Sequence, residues 1–359
     1  MNIYIVSGEQ SADLYGANLA KELFLQNKDV KIRAFGGDKM KKEGVELTKH
    51  IDELSFMGFT EVLKNLRNIS KNLSFCKRDI LKFRPKVIVL IDFPGFNLKI
   101  AKFAKQQGIK VVYYISPKIW AWNKSRIHKI KKYIDELIVI FPFEVDFYKS
   151  HQIEARYFGN PLSDVLKISI PTISRDKKIV SLLPGSRKQE ILKNLPLMIE
   201  IVKYFPEYHF IIASTKEMKS ICEKILDKKY NIEILVDSTY SVLKSSDISI
   251  VTSGTATLET ALLGVPQVVC YKTDFLTYNL ARLFVKLQWI SLVNILMNKE
   301  VVKELIQHDY NISNLEREIK SLSEEIRRYE IQSDYKELKS ILNSERTSEK
   351  VADFILQLP

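Results

Sequence analysis

Residues 178–190 read KIVSLLPGSRKQE, an apolar run that ends in a Pro-Gly-Ser-Arg turn and continues into a charged, helix-like stretch. An apolar run of this length before turn residues indicates a buried strand. A strand that leads through a glycine turn into a helix directs free backbone N–H groups at whatever lies above the turn. The stretch predicts one βα unit, but leaves open whether the turn is only a loop or an anion site in which Arg187 grips phosphate with two donors.

The same alternation of strands and helices extends through the chain on both sides of this unit. Further apolar strands are predicted at 2–7, 31–37, 86–92, 110–116, 136–141, 209–214, 232–236, 248–253 and 266–272. This rhythm is typical of parallel sheets covered by helices on both faces. We therefore expect an α/β fold with two Rossmann-like domains in tandem. Ligands in such folds bind at the carboxyl ends of the strands, here in a cleft between the domains.

The domain limits follow from a change in composition. A chain of 359 residues is too long for one ordinary core. The stretch 167–178 is polar and lacks apolar periodicity, which indicates a linker. We place an N-terminal domain at 1–166 and a C-terminal domain at 167–330. The charged residues 331–359 predict helices that pack back across both domains.

The composition excludes several classes of protein. No apolar stretch is long enough to span a bilayer, and the N-terminus reads as a strand instead of a signal peptide, so we expect a cytoplasmic protein. Three widely separated cysteines indicate neither a disulfide framework nor a zinc site. The formal net charge of +12 is compatible with a lysine-rich proteome or with an anionic partner.

One candidate for contact with an anionic surface is the stretch 61–86, which carries eight Lys and Arg residues. Its interleaved apolar residues are Leu63, Leu66, Ile69, Leu73, Phe75, Ile80, Leu81 and Phe83. The pattern suits a helix lying on an anionic membrane. It equally suits an ordinary surface helix with its apolar side in the core. The stretch 275–290 has a similar mixture of residues and favours the membrane interpretation.

Two loops in the first half carry candidate acid–base residues. SGEQSADLYGA (7–17) is not a G-x-G-x-x-G loop, and Ser11 is the expected N-cap of the helix that follows, which leaves Glu9 in the loop. IDFPGFN (91–97) places Asp92 at the end of a buried strand. Asp92 is either a general base or, like Asn97, a helix cap.

The second half contains another strand, Ser-Gly turn and helix, in VTSGTATLETALLGVP (251–266). Ser253, Gly254 and Thr255 offer donors at a helix start, and Glu259 could accept from both hydroxyls of a ribose. With Gly185 and Ser186 of the first turn, they predict a nucleotide diphosphate site.

Two tryptophans lie close together in the first half. Trp120 and Trp122, in YYISPKIWAWNKSR (113–126), form either an interdomain contact or a platform for sugar rings or acyl chains.

In their order along the chain these motifs resemble those of the lipid-A-disaccharide synthase family, over nearly the whole length. The matching stretches are SGEQSADLYGA, FGGDKM (35–40), MGFTEVL (57–63), IDFPGFN, YYISPKIWAW (113–122), FPFE (141–144), FGNPL (158–162), LLPGSRKQEI (182–191) and SGTATLETALLGVPQVVCYK (253–272). The departures are Ala12 at a usual glycine, Gly95 where many members have aspartate, and Val293 and Lys303 at family prolines.

The resemblance implies a GT-B glycosyltransferase that joins UDP-2,3-diacylglucosamine to 2,3-diacylglucosamine 1-phosphate with inversion, and that needs no metal or cofactor. It also implies a peripheral protein on the inner face of the inner membrane. The implied substrate contacts are Gly185, Ser186, Arg187, Ser253, Gly254, Thr255, Thr257 and Glu259 at the diphosphate and nucleotide, together with Asn294 and Gln307. Because this chain has glycine at position 95, where many members have aspartate, the implied general base is Asp92 or Glu9. The sequence leaves the oligomeric state open, a homodimer included.

Two other functions compete with this interpretation. A UDP-N-acetylglucosamine transferase or 2-epimerase would share the fold, but a soluble sugar needs neither the tryptophan stretch nor the basic amphipathic one. A nucleic-acid-binding protein would explain the positive charge, but the chain lacks the aromatic and basic signatures of RNA recognition. We therefore expect no nucleic-acid partner.

Overall fold

A computed structural model describes residues 1–54, 66–120, 124–166, 170–227, 230–274, 278, 288–342 and 345–359. The chain divides into two compact units. Residues 1–165 and 342–359 form the first unit, and residues 166–341 form the second.

The described strands form one parallel sheet in each unit. The strands are β1 Asn2–Val6, β2 Lys31–Gly36, β3 Glu46–His50, β4 Val87–Ile91, β5 Lys110–Tyr114, β6 Glu136–Val139, β7 Arg156–Tyr157, β8 Ile179–Leu183, β9 His209–Ser214, β10 Ile232–Val236, β11 Ile248–Thr252, β12 Gln267–Tyr271 and β13 Glu304–Ile306. In the first unit the strand order is β3-β2-β1-β4-β5-β6-β7, and in the second unit it is β10-β9-β8-β11-β12-β13. All ten strands that the sequence predicts are confirmed. The sequence missed β3, β7 and β13.

Helices connect the strands. They are α1 Gln10–Gln26, α2 Asp38–Lys42, α3 Leu66–Phe83, α4 Pro94–Gln106, α5 Ile127–Tyr133, α6 Phe143–Lys149, α7 Leu162–Leu166, α8 Lys188–Glu200, α9 Lys219–Ile225, α10 Thr239–Lys244, α11 Thr255–Leu262, α12 Leu292–Met297, α13 Ile312–Ser323, α14 Glu325–Leu342 and α15 Thr347–Leu356. Across the part of the chain that is described, no helix has the length and apolarity needed to cross a membrane.

The strands read as continuous apolar runs because both of their faces are covered. Every residue of β4, β8 and β11 is buried. The central strands thereby hold the loops at their carboxyl ends on a rigid scaffold.

The start of α1 differs from the expectation. The helix begins at Gln10 with Glu9 as its N-cap residue, so Ser11 is not the cap. Asp13 is buried, and its carboxylate accepts from the N–H groups of Gly37 at 2.7 Å and Lys39 at 3.0 Å. Asp13 therefore holds the start of α2. Short-range sequence rules do not predict this contact, because the residues that it joins are far apart in the sequence.

Helix α3 packs its apolar side into the core of the first unit. Cys76 and Ile80 are fully buried, and Leu73 and Phe83 pack against the same cluster. The apolar side of α3 therefore faces the core, as in the alternative of an ordinary surface helix. The predicted stretch begins at residue 61, and its part before residue 66 lies outside the described residues.

The end of the chain is shared between the units. Residues 331–341 lie in the second unit and residues 342–359 in the first. Asp164 accepts from the N–H groups of Thr347 at 3.2 Å and Ser348 at 2.7 Å, and so anchors the start of α15. Part of the expected linker packs on the second unit, where the Ile173 N–H donates to Ser245 Oγ at 2.7 Å.

Candidate active site

In the second unit, the two glycine–serine turns follow neighbouring strands. β8 and β11 pair in parallel with Leu183 opposite Val251, so residues 184–187 and 253–255 leave the same edge of the sheet side by side. The chain runs from β8 through β9 to β10 on one side, and from β11 through β12 to β13 on the other. The turns thus flank the point where strand order reverses, the usual ligand position in such sheets.

The Pro-Gly-Ser-Arg turn is organised around a carboxylate of the chain. Glu190 accepts from the Ser186 N–H through Oε2 at 3.2 Å and from Arg187 Nη1 through Oε1 at 3.0 Å. Gly185 has φ 111°, and a Cβ there would lie 2.5 Å from Glu190 Oε2. Glycine is therefore required both by the backbone conformation and by the close approach of Glu190.

The hydroxyls of the second turn hold its backbone. Ser253 Oγ donates to the carbonyl of Ile290 at 2.9 Å, and Thr257 Oγ1 donates to that of Gly254 at 2.9 Å. Thr257 is fully buried, whereas Gly254 is exposed and Thr255 half-buried. The first N–H groups of α11 lack intrahelical acceptors, as at any helix start, and are the donors this turn can offer an anion.

Glu259 lies one turn inside α11 and is half-buried. The hydroxyl of Tyr240, on α10, donates to Glu259 Oε1 at 3.1 Å. Loss of hydration raises the pKa of Glu259 to about 7, although the Tyr240 bond acts in the opposite direction. Sequence reasoning missed Tyr240, because no short-range pattern connects α10 to α11.

Asn294 and Gln307 hold loops of the second unit. The Asn294 amide donates to Val302 O and Glu304 Oε1 and accepts from the N–H groups of Val301 and Val302. These four bonds use its full capacity, so a ligand contact would have to displace one of them. Gln307, at φ 53°, accepts from the Thr273 N–H at 3.1 Å.

A buried amide that the sequence did not single out connects the first turn to β12. Asn194 Nδ2 donates to the Glu190 carbonyl, and its Oδ1 accepts from the Lys272 N–H, each at 2.8 Å. Asn194 has no exposed surface. A polar residue at a buried helix position is the signal that could have identified it.

In the first unit, Glu9 and Asp92 follow β1 and β4, which are also hydrogen-bonded neighbours. The absence of a side chain at Gly8 leaves room for the Phe93 ring, because a Cβ at position 8 would lie 2.5 Å from the Cγ atom of that ring. Asp92 and Phe93 both have left-handed backbones, with φ 46° and 49°. Such conformations persist where the surroundings enforce them, and they cluster at functional sites.

Two side chains hold this strained turn. Asn97 Nδ2 and the Tyr113 hydroxyl each donate to the Asp92 carbonyl at 2.7 Å. The N-cap residue of α4 is Phe93, and it makes no side-chain cap bond. Neither Asp92 nor Asn97 is therefore the N-cap residue of α4. The half-buried Asp92 carboxylate projects from a fixed backbone.

Trp120 lies in the loop that follows β5 and is half-buried. Its indole N–H donates to Glu144 Oε1 at 2.9 Å, and its ring lies nearly perpendicular to that of Phe143, with the ring centroids 5.0 Å apart. Glu144 is buried and also accepts from the N–H groups of Ile140 and Phe141. Burial raises its pKa to about 7. Trp122 lies outside the described residues.

Comparison with known proteins gives a consistent result. A family model described as lipid-A-disaccharide synthetase matches residues 3–357. The chain is 33% identical over 374 residues to a lipid-A-disaccharide synthase of Geobacter sulfurreducens, with 99% of this chain and 97% of the relative covered. A synthase of that name from Coxiella burnetii is 37% identical over 328 residues, which cover 86% of this chain and 85% of the relative.

Similar solved structures include a UDP-GlcNAc 2-epimerase from Neisseria meningitidis bound to UDP-GlcNAc, with a TM-score of 0.70, 16% identity and full coverage of both chains. Spinosyn rhamnosyltransferase SpnG complexed with thymidine diphosphate has a TM-score of 0.64 and 13% identity, with 99% of this chain and all of that chain covered. At these identities the likeness concerns the fold alone. It confirms the expected α/β fold of the GT-B type.

Proposed function

The chain belongs to the lipid-A-disaccharide synthase family, a family of glycosyltransferases, and we propose that it joins UDP-2,3-diacylglucosamine to 2,3-diacylglucosamine 1-phosphate. The products are the β-1′,6-linked disaccharide 1-phosphate and UDP. One observation carries the proposal beyond family membership. Two glycine–serine turns leave the adjacent strands β8 and β11 at the point where strand order reverses. Two such turns side by side offer one set of donors to each of the two phosphate groups of a nucleotide diphosphate.

In the proposed reaction, the second unit stabilises the leaving diphosphate. Arg187 and the Ser186 N–H bind one phosphate group, and the start of α11 at Gly254 and Thr255 binds the other. Negative charge grows on the diphosphate as its bond to the sugar breaks, so these donors act most strongly in the transition state. Glu259, in its ionised form, accepts from the ribose hydroxyls.

The first unit supplies the base in this proposal. The acceptor 6-hydroxyl attacks the anomeric carbon, the carbon–oxygen bond to the diphosphate breaks, and a carboxylate takes the hydroxyl proton. Asp92 is the first candidate because the Asn97 and Tyr113 bonds fix its backbone. Glu9 is the second, on the neighbouring strand. Gly95, where many members of the family have aspartate, carries no carboxylate, so the proposed base is one of these two.

Substrate choice tests the function directly. Purified protein should form disaccharide and release UDP only when both acylated glucosamine substrates are present. The rival 2-epimerase would instead convert UDP-N-acetylglucosamine to its 2-epimer without an acceptor. UDP should also raise the melting temperature, and RNA should not. Epimerisation, or no product from the acylated pair, would contradict the proposal.

We also propose that α3 docks on an anionic membrane. Its apolar side lies in the core, but its outer side carries a basic stripe of Arg67, Lys71, Arg78 and Lys82, all exposed. At 100° per residue these four lie within about 60° of arc. Phe75 and Leu81, which are 38% and 48% exposed, border the stripe. Lys77 instead lies over the ring of Phe103 and is not part of it. The second stretch, 275–290, lies mostly outside the described residues.

A further inference from the structure

The carboxylate of Glu190 takes the same donors that the proposed function assigns to a phosphate group. It accepts from the Ser186 N–H at 3.2 Å and from Arg187 Nη1 at 3.0 Å. A backbone amide at a helix start, combined with a guanidinium, is a donor pair suited to phosphate oxygens. Gly185 provides the space, because any Cβ at that position would collide with Glu190 Oε2.

Two anions cannot share these donors at hydrogen-bond distance without strong repulsion. We infer that the Glu190 carboxylate competes with the diphosphate of the nucleotide for Ser186 and Arg187. A bound diphosphate displaces the Glu190 carboxylate, and the carboxylate takes the donors back when the nucleotide leaves. The inference rests on the proposed function for the identity of the nucleotide.

The position of Glu190 allows this exchange. It lies in the first turn of α8, and 22% of its side chain is exposed, as is 50% of that of Arg187. The carboxylate can therefore turn toward solvent without repacking the core. The backbone of Glu190 stays in place meanwhile, because the Asn194 amide donates to its carbonyl at 2.8 Å.

The alternative is that Glu190 only caps α8 and orients Arg187. The two roles predict opposite effects of Glu190→Gln. Loss of a competing charge strengthens the binding of anions. Loss of a positioning contact weakens it, because Arg187 and the turn become less ordered.

The test is calorimetric titration of the full chain with UDP, with uridine and with inorganic diphosphate. Glu190→Gln should bind UDP and diphosphate about two- to fivefold more tightly, the scale of one exposed ion pair, and uridine unchanged. Glu200→Gln is the matched control. It removes the same charge from the same helix and breaks a similar pair, Glu200–Lys203 at 3.1 Å, and should change none of the three affinities.

Weaker or unchanged binding of both anions by Glu190→Gln overturns the inference. If that variant does not fold, Glu190→Asp withdraws the carboxylate by one methylene. This variant should also bind the anions more tightly than the parent, but by a smaller factor. The outcome is separable from the proposed function. Tighter diphosphate binding by a protein that never binds UDP contradicts the function alone, whereas normal UDP binding with no increase contradicts the Glu190 inference alone.

Discussion

The indole N–H of Trp120 donates to the buried carboxylate of Glu144 at 2.9 Å. The same carboxylate accepts from the backbone N–H groups of Ile140 and Phe141, directly after β6. One titratable group therefore connects a loop tryptophan to the end of β6. Burial raises its pKa from 4.5 to about 7 in spite of these three donors.

This raised pKa predicts a loss of stability with rising pH. The folded state favours the protonated carboxyl, so the stabilisation is full below pH 4.5 and is lost as pH rises to about 7. Over this window, the free energy of unfolding of the parent should fall by about 3 kcal/mol relative to Glu144→Gln. Denaturant titrations at several pH values measure the difference. In the exposed Glu154→Gln variant, the free energy of unfolding should depend on pH as it does in the parent. If Glu144→Gln also shows the pH dependence of the parent, Glu144 does not titrate in this range.

Arg187→Ala should nearly abolish turnover. Removing one charge-assisted contact to the leaving diphosphate costs roughly 2–4 kcal/mol of transition-state stabilisation, which is roughly 30- to 1,000-fold in rate. Steady-state kinetics with both acylated substrates measure it. Arg175→Ala, which removes a surface arginine paired with Glu233 in the same unit, should keep its rate. An Arg187 variant within a few-fold of the parent would remove this residue from the site.

Uridine binding should depend on the ionisation of Glu259. The ionised carboxylate is the better acceptor for ribose hydroxyls, so uridine affinity should rise as pH increases through about 7. Glu259→Gln should lower the affinity at alkaline pH by about ten- to a hundredfold and abolish the pH dependence. Calorimetry with uridine avoids the ionisation of phosphate groups.

Tyr240→Phe provides the control for this titration. The Tyr240 hydroxyl bond lowers the pKa of Glu259, so its removal should move the midpoint of the uridine titration to higher pH. An unmoved midpoint, or no pH dependence in the parent, would assign Glu259 a structural role.

Asp92→Asn should slow the chemical step and leave the binding of both substrates nearly unchanged. The amide cannot take the hydroxyl proton, but it keeps the shape of the side chain on a backbone that Asn97 and Tyr113 hold. Single-turnover rates and the acid limb of the pH–rate profile report the base. Glu9→Gln is the parallel variant. If Asp92→Asn keeps the parent rate and Glu9→Gln loses it, Glu9 is the base.

The sequence predicted those parts of the fold that depend on local patterns. Strands such as Val87–Ile91 and Ile248–Thr252 are continuous apolar runs, and a run of this kind has few other structures available. The strand Glu46–His50 was missed because none of its residues is fully buried and its polar composition resembles a loop. The two-residue strand Arg156–Tyr157 is too short to give a periodic signal.

The candidate site could be predicted only where it depends on turns. Gly185 and Gly254 stand out because a glycine between a strand and a helix marks a turn by its residue type alone. The partners of these turns could not be found in the same way. Tyr240 reaches Glu259 across 19 residues, and Asn194 reaches Lys272 across 78. Asn294 was expected to contact substrate, yet all four hydrogen bonds of its amide are made within the chain, which only the packed loop reveals.

The basic stripe on α3 should control binding to anionic vesicles. Each basic residue near such a surface contributes about 1 kcal/mol at moderate salt, so a fourfold change of Arg67, Lys71, Arg78 and Lys82 to Gln should release the protein. It should still turn over detergent-dispersed substrates, because none of the four residues is placed in the proposed reaction. High salt should release the parent in the same way, because at 1 M the Debye length is roughly 3 Å and charges that lie farther apart than this are largely screened. Co-sedimentation with anionic and with neutral vesicles measures both effects.

The matched control for the stripe replaces four exposed lysines of the second unit with Gln, namely Lys216, Lys224, Lys320 and Lys336. This variant loses the same net charge, so it separates a located docking surface from general attraction. It should sediment with anionic vesicles as the parent does. Equal loss of binding in both variants would mean that total charge decides, whereas full binding by the α3 variant would transfer the docking role to residues outside α3.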